Sequence, residues 1–211
     1  NCEPKQVFYY FEEICKIPHG SRNTKQISDY LVAFAKEHGF DYVQDEMNNV
    51  IIYKPATPGY ENAPTVILQG HMDMVCEKRP DVQHDFEKDG LNLSVKDGYV
   101  TANGTTLGGD DGIAVAYALA LLDSTDLPHP ALEVLITEDE EIGLLGAVGL
   151  DCSVLKGKRM INMDSEAEGS LWISCAGGLS AVSHIPVARV DAEGEKLQIK
   201  VCGLMRQGKL S

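Results

Sequence analysis

Two predominantly apolar runs with little alternation, Val66-Ile67-Leu68 and Leu132 to Ile136, constrain this chain most. A strand that does not alternate has to be covered on both faces, as central strands are. Between the two runs the pattern predicts a helix from Gly112 to Leu122. Strand, helix and strand, with further helices elsewhere, imply an α/β fold: a three-layer α/β/α sandwich around a mixed, largely parallel central sheet. In such sheets ligands gather beyond the carboxyl ends of the strands. The acidic clusters fall at such places: Gly70-His71-Met72-Asp73, Gly108-Gly109-Asp110-Asp111-Gly112, Glu138-Asp139-Glu140-Glu141 and, after Met160-Ile161, Asp164.

Upstream, residues 4 to 15 place Val7, Phe8, Phe11 and Ile14 on one helical face, and Pro18-His19-Gly20 stops that helix. A second helix carries the stripe Ile27, Leu31, Phe34 and Ala35. Asn23 with Gln26 resembles a capping box at its start, and Gly39 sits where a left-handed C-terminal cap belongs. Strands follow at Tyr42-Val43, Val50 to Tyr53 and Thr65 to Leu68, with a turn at Asn48-Asn49 and a loop from Pro55 to Gly59. The long excursion from Cys76 to Asn103 holds a hairpin turn at Asp97-Gly98. From Gly177-Gly178 the texture changes to alternating strands, Ala181 to Val187 and Lys196 to Val201, which reads as the entry to a second domain, cut short.

The net charge of -14 argues against a nucleic-acid partner, because phosphate neutralisation needs clustered Lys and Arg. Most of the 32 carboxylates serve solubility, so a functional reading applies to the few at strand ends. The six cysteines, Cys2, Cys15, Cys76, Cys152, Cys175 and Cys202, are scattered, form no Cys-x-x-Cys pair and partly lie in apolar segments. They read as reduced thiols of a cytoplasmic protein. The apolar run Ile113 to Leu122 is too short to span a bilayer, and the N-terminal stretch lacks the pattern of a secretory leader.

One imidazole and several carboxylates delivered from different strand ends suit a divalent cation better than a core, since unpaired buried carboxylates are costly. His71 and Asp73 share a strand face, so Asp73 can accept the hydrogen bond of the second ring nitrogen and fix its tautomer. Taken alone, the pair also reads as a surface His beside a turn-initiating Asp. Gly70 lets the backbone approach another group closely. Asp110 and Asp111 exceed what a helix N-terminus needs: a carboxylate bridging two cations explains Asp110 and leaves Asp111 to cap the helix. In isolation, Glu138 to Glu141 reads equally as an acidic helix start.

In order, character and spacing these residues resemble the co-catalytic zinc peptidases that include carboxypeptidase G and the aminoacylases. The likeness is closer to their aminoacyl-histidine (Xaa-His) dipeptidase branch. It is carried further by Ile17-Pro18-His19, Lys54-Pro55-Ala56-Thr57, His84-Asp85-Phe86, Gly104-Thr105-Thr106-Leu107-Gly108, Asp164-Ser165-Glu166 and Cys175-Ala176-Gly177-Gly178, and it extends to about Val201. The resemblance implies a metal-dependent dipeptidase of Xaa-His substrates with two Zn²⁺ ions, Co²⁺ or Mn²⁺ being alternatives. It makes His71, Asp110 and Asp164 ligands of one metal and gives Asp110, as the bridge, and Glu141 to the other. Asp73 becomes the residue that orients His71, and Glu140 the general base acting on a metal-activated water. A cis peptide between Asp110 and Asp111 is implied as well.

Where the branch often has Ala-Asp-Asn, this chain has Gly109-Asp110-Asp111. The family pattern also expects a further His for the second metal, and most of a dimerising lid domain, beyond residue 211. On that pattern residues 1–177 are the N-terminal part of the catalytic domain and 178–211 the start of an incomplete α+β lid. The lid makes the complete protein a homodimer, the substrate is a small peptide, and neither nucleic acid nor membrane is a partner. A related tripeptidase, carboxypeptidase or N-deacylase, or an inactive fragment that only binds metal or self-associates, are the alternative readings.

Overall fold

Helix α1, Lys5–Cys15, and helix α2, Lys25–Glu37, are amphipathic segments whose apolar stripes meet a sheet. The computed structural model describes residues 2–165, 169–175, 182–188, 191, 194 and 197. The chain divides into two units, 1–168 and 169–211. In the first unit five strands form one sheet: β1 Asp41–Gln44, β2 Val50–Lys54, β3 Val66–His71, β6 Leu132–Thr137 and β7 Arg159–Asn162. Their order is β1-β2-β6-β3-β7. β1, β2 and β6 pair antiparallel, whereas β3 runs parallel to both β6 and β7. The sheet is thus mixed, with a parallel half that holds the segments of interest.

One face of the sheet is covered by α1, α2 and α3, Gly109–Asp123, around Ile14, Ile27, Leu31, Val115 and Leu119. On the other face Ile51, Ile67 and Leu135 pack against Leu150, Val154 and Leu155, from the segment that follows the short helix α4, Leu145–Gly149. Every residue of β6 is buried, as a doubly covered strand requires. Glu133 is part of that strand, and its carboxylate accepts the N–H groups of Lys156 at 2.9 and 3.1 Å and of Gly157 at 3.0 Å. The excursion after β3 carries the hairpin β4, Leu93–Lys96, and β5, Tyr99–Ala102. Asp97 and Gly98 at its tip have φ of 53° and 83°, the left-handed pair that a two-residue hairpin turn demands.

Three local expectations change. On α1, Tyr10 is buried and Phe8 only partly so. The capping box at α2 does not form: Thr24 occupies the cap, and its hydroxyl donates to Glu138 Oε2 at 2.6 Å instead of holding the helix N-terminus. Gly39 does adopt the left-handed conformation, φ 70°. In the second unit the described residues 182–187 form no strand. The second expected strand, Lys196 to Val201, lies outside the described residues apart from Leu197. So do Glu166, Gly177-Gly178, Cys202 and 203–211. Among the described residues the cysteines are free thiols, and no helix is long and apolar enough to cross a membrane.

Candidate metal centre

Register brings the site together. His71 ends β3 directly opposite Thr137, the last residue of β6, so Glu138 and its successors leave the sheet beside the imidazole. On the other side β7 pairs with β3 up to Asn162 and Gln69, and Met163 N–H donates to the Gln69 carbonyl at 2.9 Å, which brings Asp164 to the same edge. Helix α3 begins after Gly108, left-handed at φ 65°, and a cis peptide joins Asp110 to Asp111.

Around His71, which is 1% exposed, the geometry is close. Nδ1 faces the Asp73 carbonyl at 3.0 Å and Asp73 Oδ1 at 3.2 Å. Nε2 lies 3.1 Å from Asp110 Oδ1 and 3.9 Å from both Glu140 Oε2 and Asp164 Oδ2. His71, Asp110 and Asp164 offer ligand atoms within 4.8 Å of one another, and so do His71, Glu140 and Glu141. Asp110 and Glu141 do not share a group of that size, although the Asp110 charge adds to burial in raising the Glu141 pKa. Among the described residues no Lys or Arg forms an ion pair with Asp110, Glu140 or Glu141. A nitrogen donor with converging carboxylates is the donor set of Zn²⁺ and its first-row neighbours, so the residues present fit such an ion.

Asp73 ties this set together. Its Oδ2 accepts from Ser21 Oγ at 2.7 Å and from the Glu141 N–H at 3.4 Å, while Oδ1 accepts the Glu140 N–H at 2.9 Å. Burial alone would raise its pKa, but the hydrogen bonds from His71, Ser21 and Glu140 outweigh burial and lower it. For His71, burial disfavours the charged ring. The Asp73 hydrogen bond and the charges of Asp111, Asp73 and Asp164 win, and its pKa stands at about 10. Glu140 and Glu141 are both raised, first by burial and then by their acidic neighbours. The negative potential these shifts report is the one a divalent cation would meet.

Asp111 does not cap α3. Its Oδ2 accepts the His71 N–H at 3.1 Å, and its side chain makes no capping hydrogen bond. Gly70 permits this, because a Cβ there would stand 2.6 Å from Asp111 Oδ2. Burial pushes the Asp111 pKa up to about 7. Ser21 and Thr24, which reach Asp73 and Glu138, carry no sequence signal of their own, since each reads as an ordinary helix-approach residue.

Comparison with known proteins identifies relatives of the chain. Residues 67–172 match Peptidase family M20/M25/M40, a span that includes every residue of the cluster. The Cytosol non-specific dipeptidase of Escherichia coli (strain K12) is 43% identical over 203 residues, covering 95% of this chain and 42% of that protein. The crystal structure of aminoacylhistidine dipeptidase from Vibrio alginolyticus superimposes with a TM-score of 0.80 at 46% identity, over 82% of this chain and 35% of that one. A tripeptidase from Staphylococcus aureus follows at a TM-score of 0.65 and 26% identity, over 77% of this chain and 44% of the other. The chain thus spans less than half the length of these relatives. The family match over half of the chain and the 43% identity across nearly all of it are decisive: the chain belongs to peptidase family M20/M25/M40.

Proposed function

We propose that the complete protein is a metal-dependent dipeptidase that hydrolyses Xaa-His dipeptides, and that His71, Asp110, Asp164, Glu140 and Glu141 carry the reaction. The observation that carries the reading is their convergence on one buried imidazole at the carboxyl edge of the parallel strands. His71, Asp110 and Asp164 would hold one ion, and Asp110 and Glu141 a second. When bound, two Zn²⁺ ions lower the pKa of water and polarise the scissile carbonyl, and Co²⁺ or Mn²⁺ suits the same donors. Asp73 keeps the His71 proton on Nδ1 and leaves Nε2 as the donor atom. Glu140, its pKa raised by burial and by neighbouring carboxylates, takes the proton of the attacking water and returns it to the leaving amine.

The histidine preference is supported by the likeness to the Vibrio alginolyticus dipeptidase. A broader dipeptidase is the second reading, because the Escherichia coli relative is named non-specific. In either case residues 1–177 belong to the catalytic domain and 178–211 begin a lid through which the complete protein dimerises. A cytoplasmic location accords with the cytosolic relative and the free thiols.

The test is hydrolysis of a dipeptide panel by the full-length protein, with Glu140→Ala and Glu141→Ala beside it. Glu140→Ala should abolish turnover of Xaa-His while metal content stays near wild type. Glu141→Ala should lose metal from the second position. Equal metal loss in both variants would overturn the division of roles, and equal rates across the panel would favour the broader activity.

A further inference from the structure

The loop that carries Glu140 and Glu141 runs from Glu138 to Gly146 and closes on itself. Gly146 N–H donates to the Glu138 carbonyl and Leu145 N–H to the Asp139 carbonyl, both at 3.1 Å. A compact loop of this kind keeps its shape through contacts at its neck. One side chain from a distant part of the chain reaches both sides of that neck. Asn49, in the turn between β1 and β2 and 1% exposed, accepts the Glu138 N–H at 3.0 Å through Oδ1 and donates to the Gly146 carbonyl at 2.9 Å through Nδ2.

The second hydrogen of Nδ2 goes to Asp45 Oδ2 at 2.7 Å. Asp45 Oδ1 meanwhile accepts the N–H groups of Met47 and of Asn49 itself, each at 2.9 Å, so the turn is wound around that carboxylate. This surrounding fixes the amide orientation. Exchanging its oxygen and nitrogen would set NH₂ against the Glu138 N–H and oxygen against two acceptors. Gly146 completes the fit: a Cβ there would stand 2.5 Å from Glu138 O and 2.7 Å from Glu138 N, and would also collide with Asn49 Oδ1. Gly146 lies in α4, where Ala would be the better helix former, so helix propensity does not explain the glycine and the close approach does.

We propose that Asn49 is a positioning residue for the reaction: by clamping the neck of the 138–146 loop it sets how Glu140 and Glu141 approach His71 Nε2. Through them it governs the second metal position and the proton transfer. The inference rests on the roles given above to the two glutamates. Misplacing a reacting group by about 1 Å costs on the order of 100-fold in rate.

The test uses the full-length Zn²⁺-loaded protein with Asn49→Ala and Gly146→Ala. Hydrolysis of an Ala-His dipeptide, Zn²⁺ affinity by calorimetry and the Co²⁺ absorption spectrum, which reports coordination geometry, are measured for each. In both variants kcat should fall by about 30-fold or more with KM within about threefold, the signature of a lost transition-state interaction. The second Zn²⁺ position should weaken by about tenfold or more while the His71, Asp110 and Asp164 position is unchanged, and the Co²⁺ spectrum should shift. Full kcat and both affinities intact would overturn the proposal, as would a loss of kcat that disappears once rates are normalised to the folded fraction. If Asn49→Ala does not fold, Asn49→Asp is read in the same way; it fills the same volume and sets a second carboxylate against Asp45. Failure of all three variants to fold would assign Asn49 to folding alone and overturn the proposal. Wild-type protein that takes up no Zn²⁺ would sink the metal reading itself, whereas metal-loaded wild type beside fully active Asn49 variants would sink only this inference.

Discussion

Asp73 uses both oxygens of one carboxylate, holding His71 Nδ1 while it takes the N–H groups of Glu140 and Glu141. Asp73→Asn keeps the shape and removes the charge, so metal affinity should fall by roughly 10–100-fold, as for other partners of a ligating imidazole. Calorimetric titration of the variant checks this, and an affinity equal to wild type would contradict it. His19 permits a separate test. Burial lowers its pKa below 6.5, outweighing the Ile17 carbonyl and the Asp73 charge. The folded state therefore binds fewer protons than the unfolded chain, and the His19 contribution is intact above the unfolded value and is lost as pH falls below it and through the folded value. Thermal stability of wild type should drop more between pH 7 and pH 5 than that of His19→Asn, which keeps a donor for Ile17. Parallel curves would show that His19 does not titrate as described.

Among the elements, β7 depends on a side chain from β6. Glu133 lies 2% exposed and supplies the acceptors for Lys156 and Gly157 just before β7 begins. Glu133→Ala leaves two N–H groups without their partner and should cost roughly 2–4 kcal/mol, read as a lower urea midpoint, with Glu133→Gln milder because one acceptor survives. A change below about 0.5 kcal/mol in the alanine variant would mean that water replaces the carboxylate fully. The elements themselves were legible in the sequence because their burial follows period: the α2 stripe, the unalternating β6 and the Asp97-Gly98 hairpin each stand where pattern places them. What pattern does not reach is a polar side chain recruited across the fold. Thr24 sits at its helix cap but turns its hydroxyl to Glu138, and the Asp111 carboxylate accepts the His71 N–H instead of capping α3, because each finds a buried partner that is distant in sequence.

Across the first unit, the candidate site is assembled from four segments that meet only because β6, β3 and β7 are adjacent and parallel. The clusters that hold His71, Asp110, Glu140, Glu141 and Asp164 stood out in the sequence as carboxylates gathered where apolar segments end or a helix begins, but each also read as an ordinary turn or helix start, and the role of each residue came from the family resemblance. The residues that hold them, Ser21, Asn49 and Asp111, did not stand out, because a Ser, an Asn in a turn and an Asp at a helix start are ordinary in those places. On the proposed function these carboxylates and His71 bind divalent cations. The direct measurement is an anomalous difference map from crystals of the full-length protein grown with Zn²⁺. A peak about 2.0–2.2 Å from His71 Nε2 and from carboxylate oxygens of Asp110 and Asp164, with a second peak on Asp110 and Glu141, is the predicted result. A fully occupied Zn²⁺ bound elsewhere, with no density between His71 and Asp110, would contradict it.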